Sequence, residues 1–71
     1  MALNYAYIFA YIDLEDNCCI GIETTTNPEQ GEDPAYVQIP VYDEEYLFKY
    51  YIDGAWYEDA EGTIPWESSL I

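Results

Sequence analysis

The sequence has almost no positive charge. Lys49 is the only lysine or arginine in 71 residues, against fifteen aspartates and glutamates, and the formal net charge is −14. Binding to nucleic acid depends on Lys and Arg that neutralise phosphates, so direct nucleic-acid binding is excluded. Anionic membranes are repelled for the same reason. The partners that remain are basic proteins, metal cations, neutral sugars or further copies of the chain.

Histidine is missing altogether, which removes the usual general base and the commonest metal ligand. No serine, threonine or cysteine has a recognisable base partner, and the sequence contains no glycine-rich phosphate loop. The acidic segments 13–17 and 29–33 have the composition of calcium loops without the ligand spacing of an EF-hand, so solvated turns explain them better. We therefore expect a non-enzyme with no catalytic residue, no cofactor and no metal site.

Cysteine is scarce, and the two that occur, Cys18 and Cys19, are adjacent. Neighbouring side chains on a strand point to opposite faces, so a disulfide between them would be strained. We expect two free thiols in a reducing compartment, one filling the core and one at the surface. The apolar run 5–12 is too short to cross a bilayer and no basic leader precedes it, which indicates a cytoplasmic protein.

What the chain has in quantity is aromatic residues: nine tyrosines, two tryptophans and two phenylalanines. Each large ring buries roughly 150–250 Å², so a single small domain over residues 1–71 can have a rich core. The rings are expected to form that core, to contact a protein partner, or to stack on sugars, with the core favoured. The candidate interaction residues are Tyr5, Tyr7, Phe9, Tyr11, Tyr51 and Trp56.

Residues 5–12 (YAYIFAYI) and 18–25 predict a β-hairpin, joined by the turn segment DLEDN. Alternation places aromatic side chains on one face of the first strand and alanine or isoleucine on the other, so neither face is polar. We expect the second apolar face to be covered by the 26–35 loop and the tail, or to be an interface.

The second half of the chain predicts a strand within 36–42 that either lies at the sheet edge or ends at Pro40, and a helical turn at 43–47 capped by Asp43. Asp53 and Gly54 between strand formers predict a two-residue type I′ turn joining 48–52 to 55–59. That register pairs Tyr51 with Trp56 and Lys49 with Glu58.

The fold expected from these elements is mostly β. It is a small antiparallel sheet of two hairpins plus an edge strand, with one short helical turn. Residues 26–35 are expected to be a loop, and the tail 60–71 either packs on the sheet or leads onward.

Four segments in order, Tyr5–Asp13, Ile20–Ile22, Ile39–Leu47 and Lys49–Asp59, resemble small modules of phage and prophage structural proteins of Gram-positive hosts. Such segments often have glycine immediately before the lysine, where this chain has Phe48. The resemblance implies a non-catalytic structural or protein-interaction module, associated with tails or fibres or acting as an assembly factor. It also implies a location in the host cytoplasm during assembly, or in the virion.

The alternative function is an acidic decoy that imitates nucleic acid and inhibits a nucleic-acid-binding protein. A decoy needs carboxylates in rows on one face, whereas most of those in this sequence cluster in predicted turns, at 13–16, 29–33, 43–45 and 58–61. This distribution favours the structural module. The expected partner is a protein or a further copy of the chain. We expect a homo-oligomer to form through the aromatic face and to strengthen with salt, which screens the repulsion.

Overall fold

The structure, a computed structural model, describes residues 7–71, which form a five-stranded antiparallel sheet. The order across the sheet is β3-β1-β2-β4-β5. Two 3₁₀ turns, Pro28–Glu32 and Glu44–Tyr46, lie between strands. The prediction of a mostly β fold is confirmed. In chain order the strands are β1 (Tyr7–Asp13), β2 (Cys18–Thr25), β3 (Tyr36–Gln38), β4 (Tyr50–Ile52) and β5 (Ala55–Tyr57).

The first hairpin forms between β1 and β2 as predicted. Its turn is closed by the Asn17 N–H, which donates to the Asp13 carbonyl over 2.7 Å. Asn17 has a φ of 65°, a left-handed conformation that asparagine tolerates better than most residues. The conformation of this acidic turn is therefore determined by its own backbone hydrogen bond and by the left-handed conformation of Asn17. Tyr5, which the sequence assigns to the first strand, lies outside the described residues.

The pairing of β1 with β2 contains a β-bulge. Tyr11 pairs with Gly21 and Ile12 pairs with Cys19, so Ile20 is left over between them. An extra residue of this kind bends the strand and changes the direction of the neighbouring side chains. As a result, Ile20 is exposed although it lies inside a strand.

The second hairpin has the predicted register. Asp53 and Gly54 have φ values of 51° and 85°, as a type I′ turn requires. Tyr51 pairs with Trp56, and their ring centroids lie 5.0 Å apart. This cross-strand pair was predicted from the turn residues alone.

The predicted pairing of Lys49 with Glu58 does not form, because each backbone is bound elsewhere. The Lys49 carbonyl accepts from Cys19 N–H over 2.8 Å, while Glu58 N–H donates to the Ile64 carbonyl over 2.8 Å. The Lys49 ammonium lies 4.9 Å from the ring centroid of Trp66. The only cation of the chain therefore makes a cation–π contact.

The core lies on one face of the sheet, where the segment from Ile39 to Leu47 and the tail cover it. Tyr46 is its aromatic centre, with ring centroids 4.9 Å from Trp56 and 4.8 Å from Trp66. The tail runs beside β5, since Trp66 N–H donates to the Trp56 carbonyl over 3.0 Å. The buried residues of this cluster are Ala10, Ile12, Cys19, Ile39 and Tyr46.

Both cysteines are free and buried. The expectation that one thiol lies at the surface is therefore wrong. Cys19 belongs to the core cluster, and Cys18 pairs with Tyr50 on the ladder between β2 and β4. Burial raises the pKa of both thiols, and the charge of Asp16 raises that of Cys18 further. Both side chains are thus protonated at neutral pH and act as small apolar groups.

Asp43 anchors the tail to the second 3₁₀ turn. Its carboxylate accepts from the Glu45 N–H over 2.9 Å, as the predicted N-cap, and from the Ser68 hydroxyl over 2.5 Å. Both Asp43 and Ser68 are buried. The Ser68 hydroxyl and then the Glu45 N–H lower the pKa of Asp43 from its usual value of 3.8.

This anchor predicts a loss of stability in acid. A pKa lowered by folding means that the contribution of Asp43 is present above the unfolded pKa and is lost as pH falls through the folded pKa. We expect Asp43→Asn, which keeps the cap, to unfold at lower urea concentration than the parent at pH 7. The difference should shrink below the unfolded pKa. Urea titrations across pH measure both proteins, and an unchanged difference in strong acid would contradict the prediction.

Candidate interaction surface

A second aromatic group lies on the face of the sheet opposite the core. Strand alternation places Tyr7, Phe9 and Tyr11 of β1 there, beside Tyr36 of the neighbouring strand β3. The ring centroids of Tyr11 and Tyr36 are 5.0 Å apart, and Phe9 lies 6.3 Å from both Tyr7 and Tyr36. These four residues are called the tyrosine face.

One part of the tyrosine face is covered by the loop that contains the first 3₁₀ turn. A Cβ atom at Gly31 would lie 3.0 Å from the Phe9 ring, so the loop backbone rests directly on that ring. Phe9 is consequently only 2% exposed. Asn27 shapes the loop, since its side chain accepts from the Glu29 N–H. The expectation that the 26–35 loop folds over this face therefore holds for Phe9.

The other part of the tyrosine face is open. Tyr11 is 38% exposed. Across the ladder from it is Gly21, which has no side chain to cover the tyrosine. A Cβ atom built at Gly21 would meet only the Tyr11 Cβ, at 3.7 Å. No side chain therefore lies directly across the ladder from Tyr11, whose ring packs against Tyr36 of β3. A glycine in a strand often marks a place where another surface can approach closely.

The Glu23 carboxylate makes two hydrogen bonds at the edge of the tyrosine face. Glu23 of β2 accepts from the Gln30 amide over 2.8 Å and from the Tyr36 hydroxyl over 3.3 Å. Burial and then the Glu23 charge raise the pKa of Tyr36. The hydroxyl is therefore a donor at neutral pH. These bonds hold the Tyr36 ring against Tyr11 and tie the loop to the sheet.

The six predicted interaction residues do not form one surface. Tyr7, Phe9 and Tyr11 belong to the tyrosine face, whereas Tyr51 and Trp56 are half-buried against the core cluster on the opposite side. Tyr5 lies outside the described residues. The sequence reasoning missed Tyr36, although alternation in the segment YVQI separates it from Val37 and Ile39 and would have identified it.

The part of the chain that the structure describes has no ligand-sized pocket. Between Tyr7 and Ile71, no three His, Cys, Asp or Glu side chains converge as a metal site. The same residues form no helix with the length and apolar character needed to cross a membrane.

Comparisons with protein-family models, with curated proteins and with solved structures found no match.

Proposed function

We propose that this protein is a non-catalytic interaction module that binds a protein partner through the open part of the tyrosine face. The observation that carries the proposal is the exposure of Tyr11 beside Tyr36, on a face where the loop covers Phe9. Tyrosine is enriched at protein interfaces because it supplies apolar area and a polar tip. The flat surface suits a protein better than a small molecule, which favours concave sites.

The resemblance of four segments to phage and prophage structural modules supports a structural or assembly role. In that role the protein would act in the host cytoplasm during assembly or in the virion. The net charge of −14 favours a basic partner surface, because opposite charge speeds encounter and suppresses wrong partners. The alternative partner for the tyrosine face is a second copy of the chain. That self-association should strengthen with salt, because salt screens the repulsion between the two negatively charged copies.

The positions of the aspartates favour an interaction module over an acidic decoy. In the acidic turns of the described chain, an aspartate side chain accepts a hydrogen bond from a backbone N–H two to five residues further on. These carboxylates are placed by local turn geometry rather than in a row that imitates phosphates. The aspartates that make such bonds are Asp13, Asp16, Asp33, Asp43 and Asp59.

Photo-crosslinking from position 11 tests the proposal. A photoreactive phenylalanine analogue replaces Tyr11 in one protein and Tyr42, an exposed tyrosine outside the tyrosine face, in a matched control. We expect a defined adduct with a basic protein from position 11 only. Tyr11→Ala should then weaken binding of that purified partner by about tenfold or more.

Equal binding by Tyr11→Ala, or the same adducts from both positions, would contradict the proposal. Light scattering across a salt series serves as the companion measurement. An adduct between two copies, with a mass that doubles as salt rises, would assign the face to self-association instead.

A further inference from the structure

Phe48 occupies a backbone position that ordinarily requires glycine. Lys49 N–H donates to the Tyr46 carbonyl over 3.0 Å, which closes a four-residue turn. Leu47 has φ −59° and ψ 131°, and Phe48 has φ 69°. These are the angles of a type II turn, whose third residue needs positive φ and is usually glycine. A bulky aromatic residue there is strained by contact between its Cβ and the backbone.

The strain is not offset by burial of the ring. Phe48 is 71% exposed, more than any other large apolar side chain of the described chain. Glycine would form the same turn without strain and without an exposed ring. Residues held in rare backbone conformations cluster at functional sites, and the position of Phe48 has no explanation in the folding of the core.

A second exposed apolar residue lies beside Phe48. The Phe48 N–H donates to the carbonyl of Cys19 over 2.8 Å, so the Phe48 backbone lies against the residue that precedes Ile20, the extra residue of the β-bulge. Ile20 is 48% exposed. Two backbone irregularities, the bulge in β2 and the turn before β4, therefore lie side by side, and each carries a large exposed apolar side chain. This pair is called the Phe48 knob.

We infer that the Phe48 knob inserts into an apolar pocket on a basic protein partner. The turn that leads to Phe48 carries the exposed glutamates Glu44 and Glu45. Lys49 follows Phe48, but its ammonium lies over the Trp66 ring, so the two carboxylates outnumber the one cation at the border of the knob. A pocket rimmed by Lys or Arg complements that border. Aromatic side chains that fill a pocket inside a polar rim contribute most of the binding energy at many interfaces.

Other binding partners suit the Phe48 knob less well. A second copy of the chain brings the same net charge of −14, and residues 7–71 offer no pocket to receive the ring. Anionic lipid is repelled by the glutamates. The inference rests on the proposed function as an interaction module, and adds a second contact together with the chemistry of the partner.

The test uses a defined probe: a yeast-displayed library of a lysine- and arginine-rich three-helix scaffold with a randomised surface. Clones are selected for binding to the parent protein and titrated against Phe48→Ala, Phe48→Gly and Ile20→Thr. Leu70→Ala, which removes an exposed leucine elsewhere, is the matched control. The same library with glutamate in place of lysine and arginine controls for charge.

We expect Phe48→Ala and Phe48→Gly to weaken the selected clones by about tenfold or more, and Leu70→Ala to change them by less than about twofold. Raising salt from about 0.05 M to about 0.5 M should weaken binding further. Phe48→Gly should melt at the same temperature as the parent or higher, since it relieves the turn. Lost binding in that variant therefore cannot come from unfolding.

Clones that bind Phe48→Ala and Phe48→Gly as tightly as the parent would overturn the inference. If the glutamate-rich library yielded binders of equal strength, the inference that the partner is basic would be overturned. Titration against Tyr11→Ala separates the two proposals. Dependence on Tyr11 without Phe48 would reject the knob and leave the tyrosine face standing, whereas dependence on Phe48 alone would do the reverse.

Discussion

Replacing Tyr46 with alanine is expected to leave the protein largely unfolded at moderate urea concentration. Tyr46 is 2% exposed and its ring meets both Trp56 and Trp66. Truncating a buried aromatic side chain costs about 3–5 kcal/mol. A domain of this size has a total stability of roughly 4–11 kcal/mol, at about 0.05–0.15 kcal/mol per residue. The loss is therefore a large part of what holds the fold together.

Urea denaturation followed by tryptophan fluorescence measures this loss, because both tryptophans contact the deleted ring. Tyr42→Ala is the matched control, since Tyr42 is an exposed tyrosine four residues away. Its free energy of unfolding should change by about 0.5 kcal/mol or less. Similar midpoints for the two variants would show that the cluster of Tyr46 and the two tryptophans is not the core.

The fold follows from sequence where local chemistry and hydrophobic pattern agree. Asp53 and Gly54 favour a type I′ turn, which requires positive φ at both residues, and that turn sets the register of the second hairpin. Asp43 predicts a helical turn because its side chain has a backbone N–H within reach. In these places a few neighbouring residues determine the geometry.

The sequence predicts less where geometry depends on distant segments. Glycine inside a strand can mark a bulge, and the bulge does lie beside Gly21, but its position at Ile20 arises from the pairing of two strands. The pairing of Lys49 with Glu58 is lost because β2 and the tail bind those backbones. Cys18 is buried by the strand beside it, which the adjacency of the two cysteines does not reveal.

The candidate surface was predicted only in part for the same reason. Alternation assigns Tyr7, Phe9 and Tyr11 to one face, yet it does not tell which of them a loop covers. That choice depends on Gly31, whose missing side chain lets the loop backbone rest on the Phe9 ring. Tyr51 and Trp56 share the aromatic composition but face the core. The composition therefore indicates that aromatic residues matter, but only the packing of strands and loops shows which of them lie at the surface and which face the core.

Phe9→Ala is expected to separate core from surface within a single strand. Phe9 is 2% exposed beneath Gly31, so its loss should cost about 3–5 kcal/mol. The loop also loses the surface it packs on, and we expect faster amide hydrogen exchange at Asp33, whose N–H donates to the Gln30 carbonyl. Urea denaturation and hydrogen exchange of the same variant measure the two effects.

Tyr11→Ala is the control, because it removes the next ring along the same face of the same strand. Tyr11 is 38% exposed, and the residue across the ladder from it, Gly21, has no side chain to pack on it. We expect a cost of about 1 kcal/mol or less and unchanged exchange at Asp33. Equal costs for the two variants would mean that both rings belong to the core, and that Tyr11 is not available to a partner. A large cost at Phe9 with a small one at Tyr11 would leave Tyr11 free for binding, as the proposed function requires.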